Sequence, residues 1–542
     1  MLIPCVAYYR QKARGESLLS GSMTAKKIHK YLGIPLCLFL FLASFSGILL
    51  NHRELLRQVD IPRAVLPSDY KFERWNNGAV RGILRADSVA YIYGSTGVWV
   101  TDSSLQREVR PLHAGFVPGG DEAKVMSMVK DSAGGIWVAT QFRLYRLSPQ
   151  RERWMEQALP SSLHGRLADL QISGDTILLL SRSLLYQRTL SDAHWQTYEL
   201  KKPDGYTGKI LLFQIIWMLH SGEYFGLVGR IIVDLIGLVV VLLSLTGIFY
   251  TLLSRRLRSF KHREETAEET VKKQKLFQRL SLYFKWHKGI GVHLFYLVLF
   301  TFVTGWCLRP PLMLPFVLTK ARPNTFSTLY SDNPWFDRLR GIRRDNKRGG
   351  WLLSTSEGFF TLSDFSAKPE RWSCQPEVSP MGINGFVQRP DGSWLIGSFS
   401  GLFEVHPETK DAVRNYFTGE VIRQVKLGRP VGTYTISGLL AGDRAEEDYI
   451  FLYDRGAVCR NTHQPLHLQD RSFAPQPEAL NEMPFSLWQA ALELHAGRLY
   501  RPFLGKWGTE LFIFFLGLAS VIVLVTGLRR RGKSKPHPKH NQ

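Results

Sequence analysis

The chain has 542 residues, of which 45% are hydrophobic, and a formal net charge of +23. The basic residues cluster beside long apolar runs, so membrane flanks explain most of the charge. No RNA- or DNA-binding motif supports a nucleic-acid partner, and we expect a membrane protein.

The first apolar run, with its basic flank, is repeated later in the chain. Residues 26–50 recur as residues 284–308, and in both copies a His-Lys pair, at His29 or His287, stands four residues before a glycine. Each run has roughly 20 residues without a charge, long enough to cross the hydrocarbon core as a helix. A small-residue pair closes each run at the same distance, Ser46-Gly47 in the first copy and Thr304-Gly305 in the second.

A second element is repeated as well. The sequence Leu-His-Ser-Gly at His220 recurs as Leu-His-Ala-Gly at His495, and each copy precedes another apolar run. These two runs carry matching Thr-Gly pairs, Thr246-Gly247 and Thr526-Gly527. Each half of the chain is therefore predicted as helix, long loop, histidine, helix.

The positions of the cations predict the orientation. Basic clusters lie before the first helix, between the halves and at the end of the chain, and by the positive-inside rule they face the cytoplasm. We expect a multi-pass protein of the bacterial inner membrane with both termini cytoplasmic and the long loops periplasmic; Met23, directly before the basic flank, is an alternative start to Met1. The predicted organisation is a cytoplasmic N-terminal segment (1–28), transmembrane helix 1 (29–51), a β-rich exported segment (52–225), transmembrane helix 2 (226–253), a basic cytoplasmic linker (254–286), transmembrane helix 3 (287–308), a second β-rich exported segment (309–508), transmembrane helix 4 (509–528) and a basic cytoplasmic tail (529–542).

Both exported segments carry short strand-turn-strand repeats. Residues 130–147 align with 389–405: each has a turn with Asp and Gly, then Trp137 or Trp394 opening a strand, which we expect to be core residues. Such repeats are typical of propeller blades, three per segment, centred near residues 95, 140, 180, 355, 398 and 453. Three blades cannot close a ring and an open stack exposes strand edges. The predicted fold is a four-helix transmembrane bundle with an all-β exported part, one propeller of about six blades built from both halves; two independent β-domains are the alternative.

The histidines are the candidate site. His29 and His287 lie at the cytoplasmic ends of helices 1 and 3, and His220 and His495 at the outer ends of helices 2 and 4. Facing histidines in a helical bundle hold metals and haem, so two pairs predict an electron relay across the bilayer. The alternative is that they are interfacial residues of the basic flank or turns into the helices. His52, at the outer end of helix 1, is a further candidate partner for His220 or His495.

These motifs resemble the PepSY-associated transmembrane helix family, which includes bacterial iron-uptake membrane proteins and inner-membrane ferric-siderophore reductases. The resemblance rests on the His-Lys-x-x-Gly start with its Ser/Thr-Gly close, and on the Leu-His-[Ser/Ala]-Gly element before a Gly-rich helix with Thr-Gly and Arg-Arg, together roughly a quarter of the chain. It implies a four-helix core with two b-type haems, held by His29, His220, His287 and His495, that carry electrons to periplasmic iron.

The exported segments depart from this family, because only blade-like repeats stand where PepSY domains are usual. No cytoplasmic segment carries a dinucleotide-binding fingerprint, so the electron donor is quinol or a separate reductase. The first hypothesis is a haem-containing electron-transfer protein that reduces ferric chelates, a transmembrane ferric reductase. The alternatives are a membrane-anchored propeller that binds a ligand or partner without a cofactor and, third, a transporter.

Overall fold

The chain forms two compact units. A computed structural model describes residues 3–259, 267–423, 431–460 and 468–528, with side chains described from residue 25 onwards. The predicted tail 529–542 and part of the predicted linker, 260–266, lie outside the described residues. The helical unit comprises Met1–Arg53, Lys209–Tyr330 and Ala490–Gln542, and the β unit comprises Glu54–Gly208 and Ser331–Gln489.

Long apolar helices make up most of the helical unit. Three spans within the described residues are long and apolar enough to cross a membrane, Ala25–Asn51, Glu223–Arg258 and Arg498–Leu528. Many of their apolar side chains are exposed on the protein, as expected of side chains that contact lipid. The described helices are α1 (Ile3–Asn51), α2 (Arg53–Leu56), α3 (Leu212–Ser221), α4 (Gly226–Ser259), α5 (Ala267–His293), α6 (Phe295–Cys307), α7 (Leu314–Leu318), α8 (Ala479–Glu482), α9 (Leu487–His495) and α10 (Arg501–Leu528).

The predicted helix 287–308 bends within its length. The polar helix α5 extends through the predicted linker to His293, and α6 continues from Phe295 at an angle of 70°. The bend follows two glycines, Gly289 and Gly291, and the His293 ring lies 2.7 Å from the Gly289 carbonyl, which belongs to the helical hydrogen-bond ladder. Glycine and competition for a ladder carbonyl are both recognised causes of helix bending. This bent pair could form a fourth span.

The β unit consists mainly of four-stranded antiparallel sheets. Each is formed by strands consecutive in the chain, and we number them one to six: β2–β5, β6–β9, β10–β13, β16–β19, β20–β23 and β24–β27. Sheets one and six are joined edge to edge where Gly82 pairs in parallel with Leu439. The strands are β1 (Asp60–Ile61), β2 (Gly82–Ala86), β3 (Val89–Gly94), β4 (Gly97–Asp102), β5 (Arg110–Pro111), β6 (Val125–Lys130), β7 (Ile136–Thr140), β8 (Leu144–Leu147), β9 (Trp154–Gln157), β10 (Leu167–Ser173), β11 (Thr176–Ser181), β12 (Leu185–Thr189), β13 (Gln196–Tyr198), β14 (Ile210–Leu211), β15 (Lys320–Ala321), β16 (Leu339–Arg344), β17 (Trp351–Thr355), β18 (Gly358–Leu362), β19 (Glu370–Arg371), β20 (Gly385–Gln388), β21 (Trp394–Ser398), β22 (Gly401–Val405), β23 (Val413–Asn415), β24 (Ile436–Leu440), β25 (Tyr449–Leu452), β26 (Gly456–Arg460), β27 (Leu468–Asp470) and β28 (Phe485–Ser486).

Apolar cores lie between successive sheets. One joins sheet three to sheet four, with Leu180 against Leu353, and thus connects the first exported segment to the second. Another joins sheet one to sheet six, with Trp99 and Phe451 in the same core. The four remaining cores join sheets one and two, two and three, four and five, and five and six. The two segments therefore share their cores within one compact unit.

The aspartate turn before Trp137 is structural. Trp137 is 2% exposed, and its indole N–H donates to Asp131 Oδ2 at 2.9 Å. The other oxygen of Asp131 accepts a hydrogen bond from the Gly135 amide at 2.6 Å. Trp394 is fully buried in the core between sheets four and five. Both tryptophans are core residues, as the sequence predicted.

Because of His113, we predict that the stability of the β unit decreases at acidic pH. Its ring contacts Trp99 edge-on, and its Nε2 atom is buried without a hydrogen-bond partner. Burial lowers the pKa of His113, so the unfolded chain takes up this proton first and stability falls as the pH drops below about 6.5. His113→Gln should reduce the loss of Tm between about pH 7.5 and about pH 5, measured by thermal unfolding of the full chain. The exposed His194→Gln is the control, and an equal reduction in both variants would contradict the assignment.

Candidate histidine site of the helical unit

The helical unit brings the four repeated histidines together as two pairs. The rings of His29 and His287 have centroids 6.1 Å apart, and those of His220 and His495 are 6.0 Å apart. We call His29 with His287 the first histidine pair and His220 with His495 the second. Each pair takes one member from each half of the duplicated chain.

Each imidazole is held by a Ser/Thr-Gly element of another helix. His495 Nδ1 lies 2.8 Å from the Ala43 carbonyl and 3.3 Å from Ser46 Oγ on α1. A Cβ atom added to Gly47 would lie 3.1 Å from the His495 ring, so the glycine leaves the space that the imidazole occupies. The same arrangement recurs for His29 with Val523 and Gly527 of α10, for His287 with Leu243, Thr246 and Gly247 of α4, and for His220 with Thr301, Thr304 and Gly305 of α6.

The geometry of this element explains its sequence. In an α-helix, the carbonyl that accepts from the imidazole is also paired with the N–H four residues later, which here belongs to the glycine. Without a Cβ at that residue, an imidazole from a neighbouring helix can reach the carbonyl. The hydroxyl of the preceding Ser or Thr bonds back along its own helix, as Thr246 does to the Leu242 carbonyl at 2.7 Å. The repeated small-residue pairs are therefore the supports of the histidines.

These contacts assign the ring protons. A carbonyl oxygen only accepts hydrogen bonds, so Nδ1 carries a proton in all four rings. Metal-binding histidines commonly donate their second ring N–H to a backbone carbonyl in this way. In all four rings Nδ1 is thus committed to a backbone carbonyl, so Nε2 is the ring nitrogen that could serve as a metal ligand. No group of three or more His, Cys, Asp or Glu side chains suited to a bare metal ion occurs within the described ranges.

His52 has a different environment. Its Nε2 atom lies 3.0 Å from Asp234 Oδ2, and Asn51 donates to the other oxygen of the same carboxylate at 2.8 Å. The structure therefore brings His52 to α4 and not to His220 or His495. In the second half, Arg309 makes the corresponding interhelix contact with Glu510, at 3.1 Å. Each of these acidic partners, Asp234 and Glu510, stands near the beginning of a repeated apolar run.

The structure thus defines a membrane protein whose duplicated helices support two facing imidazole pairs. Residues 26–530 match the family described as the PepSY-associated TM region, and the chain belongs to this family. This confirms the resemblance drawn from the repeated motifs. No curated protein matches the chain.

Comparison with solved structures gives distant similarities. The extracellular domain of a putative hybrid two-component system from B. thetaiotaomicron is 10% identical, with a TM-score of 0.34, over 70% of this chain and 32% of that one. The computationally designed Ika8 protein is 6% identical, with a TM-score of 0.31, over 75% of this chain and 93% of that one. This chain therefore spans about a third of the length of the first of these structures.

Proposed function

We propose that this chain is a haem-containing electron-transfer protein of the bacterial inner membrane, which passes electrons to periplasmic ferric chelates. The observation that carries the proposal is the twofold occurrence of facing imidazoles, with ring centroids 6.1 and 6.0 Å apart. Each pair supplies two nitrogen ligands, the number that a haem iron takes along its axis. Two metal–nitrogen bonds of about 2 Å each, together with half of each ring, separate the centroids of two axial imidazoles by about 6 Å.

The four side chains would bind and orient the cofactors. His29 and His287 would hold one haem b, and His220 and His495 the other, with Nε2 toward the iron because Nδ1 is committed to a carbonyl. When bound, haem iron supplies one-electron chemistry by changing between its ferric and ferrous states. Each site would need both halves of the chain, since each imidazole is supported by a helix of the other half.

The spacing along α1 supports sites toward opposite surfaces of the bilayer. His29 belongs to the first pair, and Ser46 of the same helix contacts the second pair. The intervening residues of α1 (Ile3–Asn51) correspond to about 26 Å of helix, close to the roughly 30 Å of a hydrocarbon core. Lys26, Lys27 and Lys288 near the first pair favour a cytoplasmic position for it. The four spans, with both termini cytoplasmic, would then expose the β unit to the periplasm.

The β unit would be one six-bladed propeller. The first strand of each sheet contacts the first strand of the next: β2 with β6, β6 with β10, β10 with β16, β16 with β20, and β20 with β24. The last of them, β24, contacts β2 again, and the cores between sheets follow the same cyclic order. A ring closed in this way removes the exposed edges of an open stack.

The test of the function is a visible absorption spectrum of the detergent-purified full chain before and after dithionite, with haem quantified per chain. We expect about two haems per chain and a sharp reduced α-band. A colourless protein from haem-replete cells would overturn the proposal and leave a membrane-anchored β unit that binds a ligand or partner. With haem present, mixing the reduced protein with ferric citrate tests the acceptor, and quinol or a cytoplasmic reductase is the expected donor.

Gly305→Ala should weaken the second haem site selectively. A Cβ at residue 305 would lie 2.7 Å from His220 Cε1, so the imidazole has to move. Overpacking of this kind costs about 1–3 kcal/mol, and we expect reduced haem at the second pair with the first pair occupied. Haem per chain and the α-band of the purified variant measure the effect.

Gly33→Ala is the matched control for this substitution. Gly33 is also a repeated glycine of a membrane helix, but a Cβ there would lie 3.7 Å from Val523, an ordinary contact. Full occupancy is expected in Gly33→Ala. Full occupancy in Gly305→Ala as well would contradict the role assigned to the Ser/Thr-Gly elements.

A further inference from the structure

Three buried hydrogen-bond donors without acceptors lie near the second histidine pair or its supports in the sequence. Trp306 Nε1, Arg309 Nε and Arg498 Nε are buried and have no hydrogen-bond partner. In the described part of the helical unit, no side-chain atom close in sequence to His29 or His287 shares this property. A buried donor without an acceptor costs about 1–3 kcal/mol, so this concentration of donors at one pair calls for a physical explanation.

All three residues stand close to the supports or members of the second pair. Trp306 directly follows Gly305, against which the His220 ring packs. Arg498 comes three residues after His495, and Arg309 shares the carboxylate of Glu510 with Arg501, which lies three residues after Arg498. The donors therefore belong to one region of the helical unit.

This region also carries an excess of positive charge. Glu510 is shared by Arg309, at 3.1 Å, and by Arg501, at 3.8 Å. Arg498 is paired with Glu493 at 3.0 Å. Three guanidinium groups thus face two carboxylates, so the region has one cation in excess; Glu510 Oε2, which Arg309 contacts, has no hydrogen-bond partner.

The interhelix contacts near the helix ends do not explain these donors. In the first half, Asn51 and His52 contact Asp234 at the corresponding interhelix position, and none of these three residues has a buried atom without a partner. The interhelix contact is therefore common to both halves, whereas among the described residues the unpaired donors at the contact itself belong to the second half; Arg230 Nε, on α4 of the first half, is a further buried donor without a partner. An oxyanion that accepts from arginine and indole N–H groups satisfies this arrangement, because charge-assisted hydrogen bonds are the strong ones.

We propose that Arg309, Arg498 and Trp306 bind the carboxylate side chains of the haem held by His220 and His495. The inference rests on the proposed function, since it assigns residues to a cofactor of that function. Two arginines and an indole would fix the orientation of this haem and neutralise its acidic groups, while the haem at the first pair relies on other contacts.

The experiment follows haem release from the full-length protein in detergent, measured by transfer of haem to excess apomyoglobin. Arg309→Gln and Arg498→Gln should each release one of the two haems about tenfold faster than the wild type, with the other haem unchanged. Trp306→Phe, which removes the N–H and keeps an aromatic ring, should accelerate the same haem to a smaller extent. Asp234→Asn, which changes the interhelix contact of the first half, should leave both release rates unchanged.

A second measurement changes the cofactor in the wild-type protein. Wild-type protein loaded with the dimethyl ester of haem keeps the iron and the axial ligands but presents no carboxylate. The ester should leave the second pair about tenfold faster than haem, and Arg309→Gln should add nothing to its release. Equal rates for haem and ester at both pairs, or unchanged release in both arginine variants, would overturn this inference while two bound haems would still support the proposed function. A wild type without haem would instead overturn the proposed function.

Discussion

Under the proposed function, His495→Ala should leave one haem per chain instead of two. His495 shares the second pair with His220, and the substitution removes one of the two imidazoles whose ring centroids lie 6.0 Å apart. Haem iron with one axial imidazole loses the low-spin bis-histidine environment, and its retention in detergent falls. The reduced α-band should fall by half, and haem extraction should give half the wild-type amount.

The companion substitution His29→Ala should remove the other haem. Because the two pairs have no ring in common, the two losses should be independent, and the double variant should be colourless. His52→Ala is the control, since the His52 ring faces Asp234 at 3.0 Å. Loss of the second haem in His52→Ala with retention in His495→Ala would contradict the pairing and make His52 the ligand.

The pairing shows how far the duplication predicts the site. Repetition in both halves singled out His29, His287, His220 and His495, because unrelated interfacial histidines need not recur with the same glycine spacing. It also preserved the Ser/Thr-Gly pairs. Their role as supports for imidazoles could not be predicted, since each support lies on a helix of the other half and depends on tertiary packing.

Local geometry accounts for other differences between sequence and structure. An apolar run of suitable length predicts a span but not a bend of 70°, which arises where His293 competes for the Gly289 carbonyl. By contrast, the turn at Asp131 was predictable, because aspartate before glycine and a strand satisfies the turn amides with its own side chain. Sequence patterns are most informative where the determining contacts are local.

Asp448→Ala should destabilise the β unit by about 3–5 kcal/mol, the usual cost of leaving half of a buried ion pair. Asp448 is fully buried, and its Oδ2 atom lies 2.6 Å from Arg389 Nη2 and 2.7 Å from the Tyr416 hydroxyl. Its other oxygen accepts from the Gly442 amide at 3.0 Å. The substitution leaves the Arg389 charge without its carboxylate and the Gly442 amide without its acceptor, and it removes the shorter of the two hydrogen bonds of the Tyr416 hydroxyl. Thermal and urea unfolding of the full chain, followed by tryptophan fluorescence, measure the loss.

A control variant and a double variant distinguish the cost of a buried, unpaired charge from the cost of losing an ion pair. Asp470→Ala removes the carboxylate that contacts Arg74 at 2.7 Å, but both side chains of that pair are about half exposed or more, and the expected cost is about 0–1 kcal/mol. The double variant Asp448→Ala with Arg389→Met should be more stable than Asp448→Ala alone, because the penalty comes mainly from the buried, unpaired guanidinium. If the double variant is less stable than the single one, Arg389 stabilises the fold through its hydrogen bond to the Gly442 carbonyl, at 2.7 Å, more than its buried charge destabilises it.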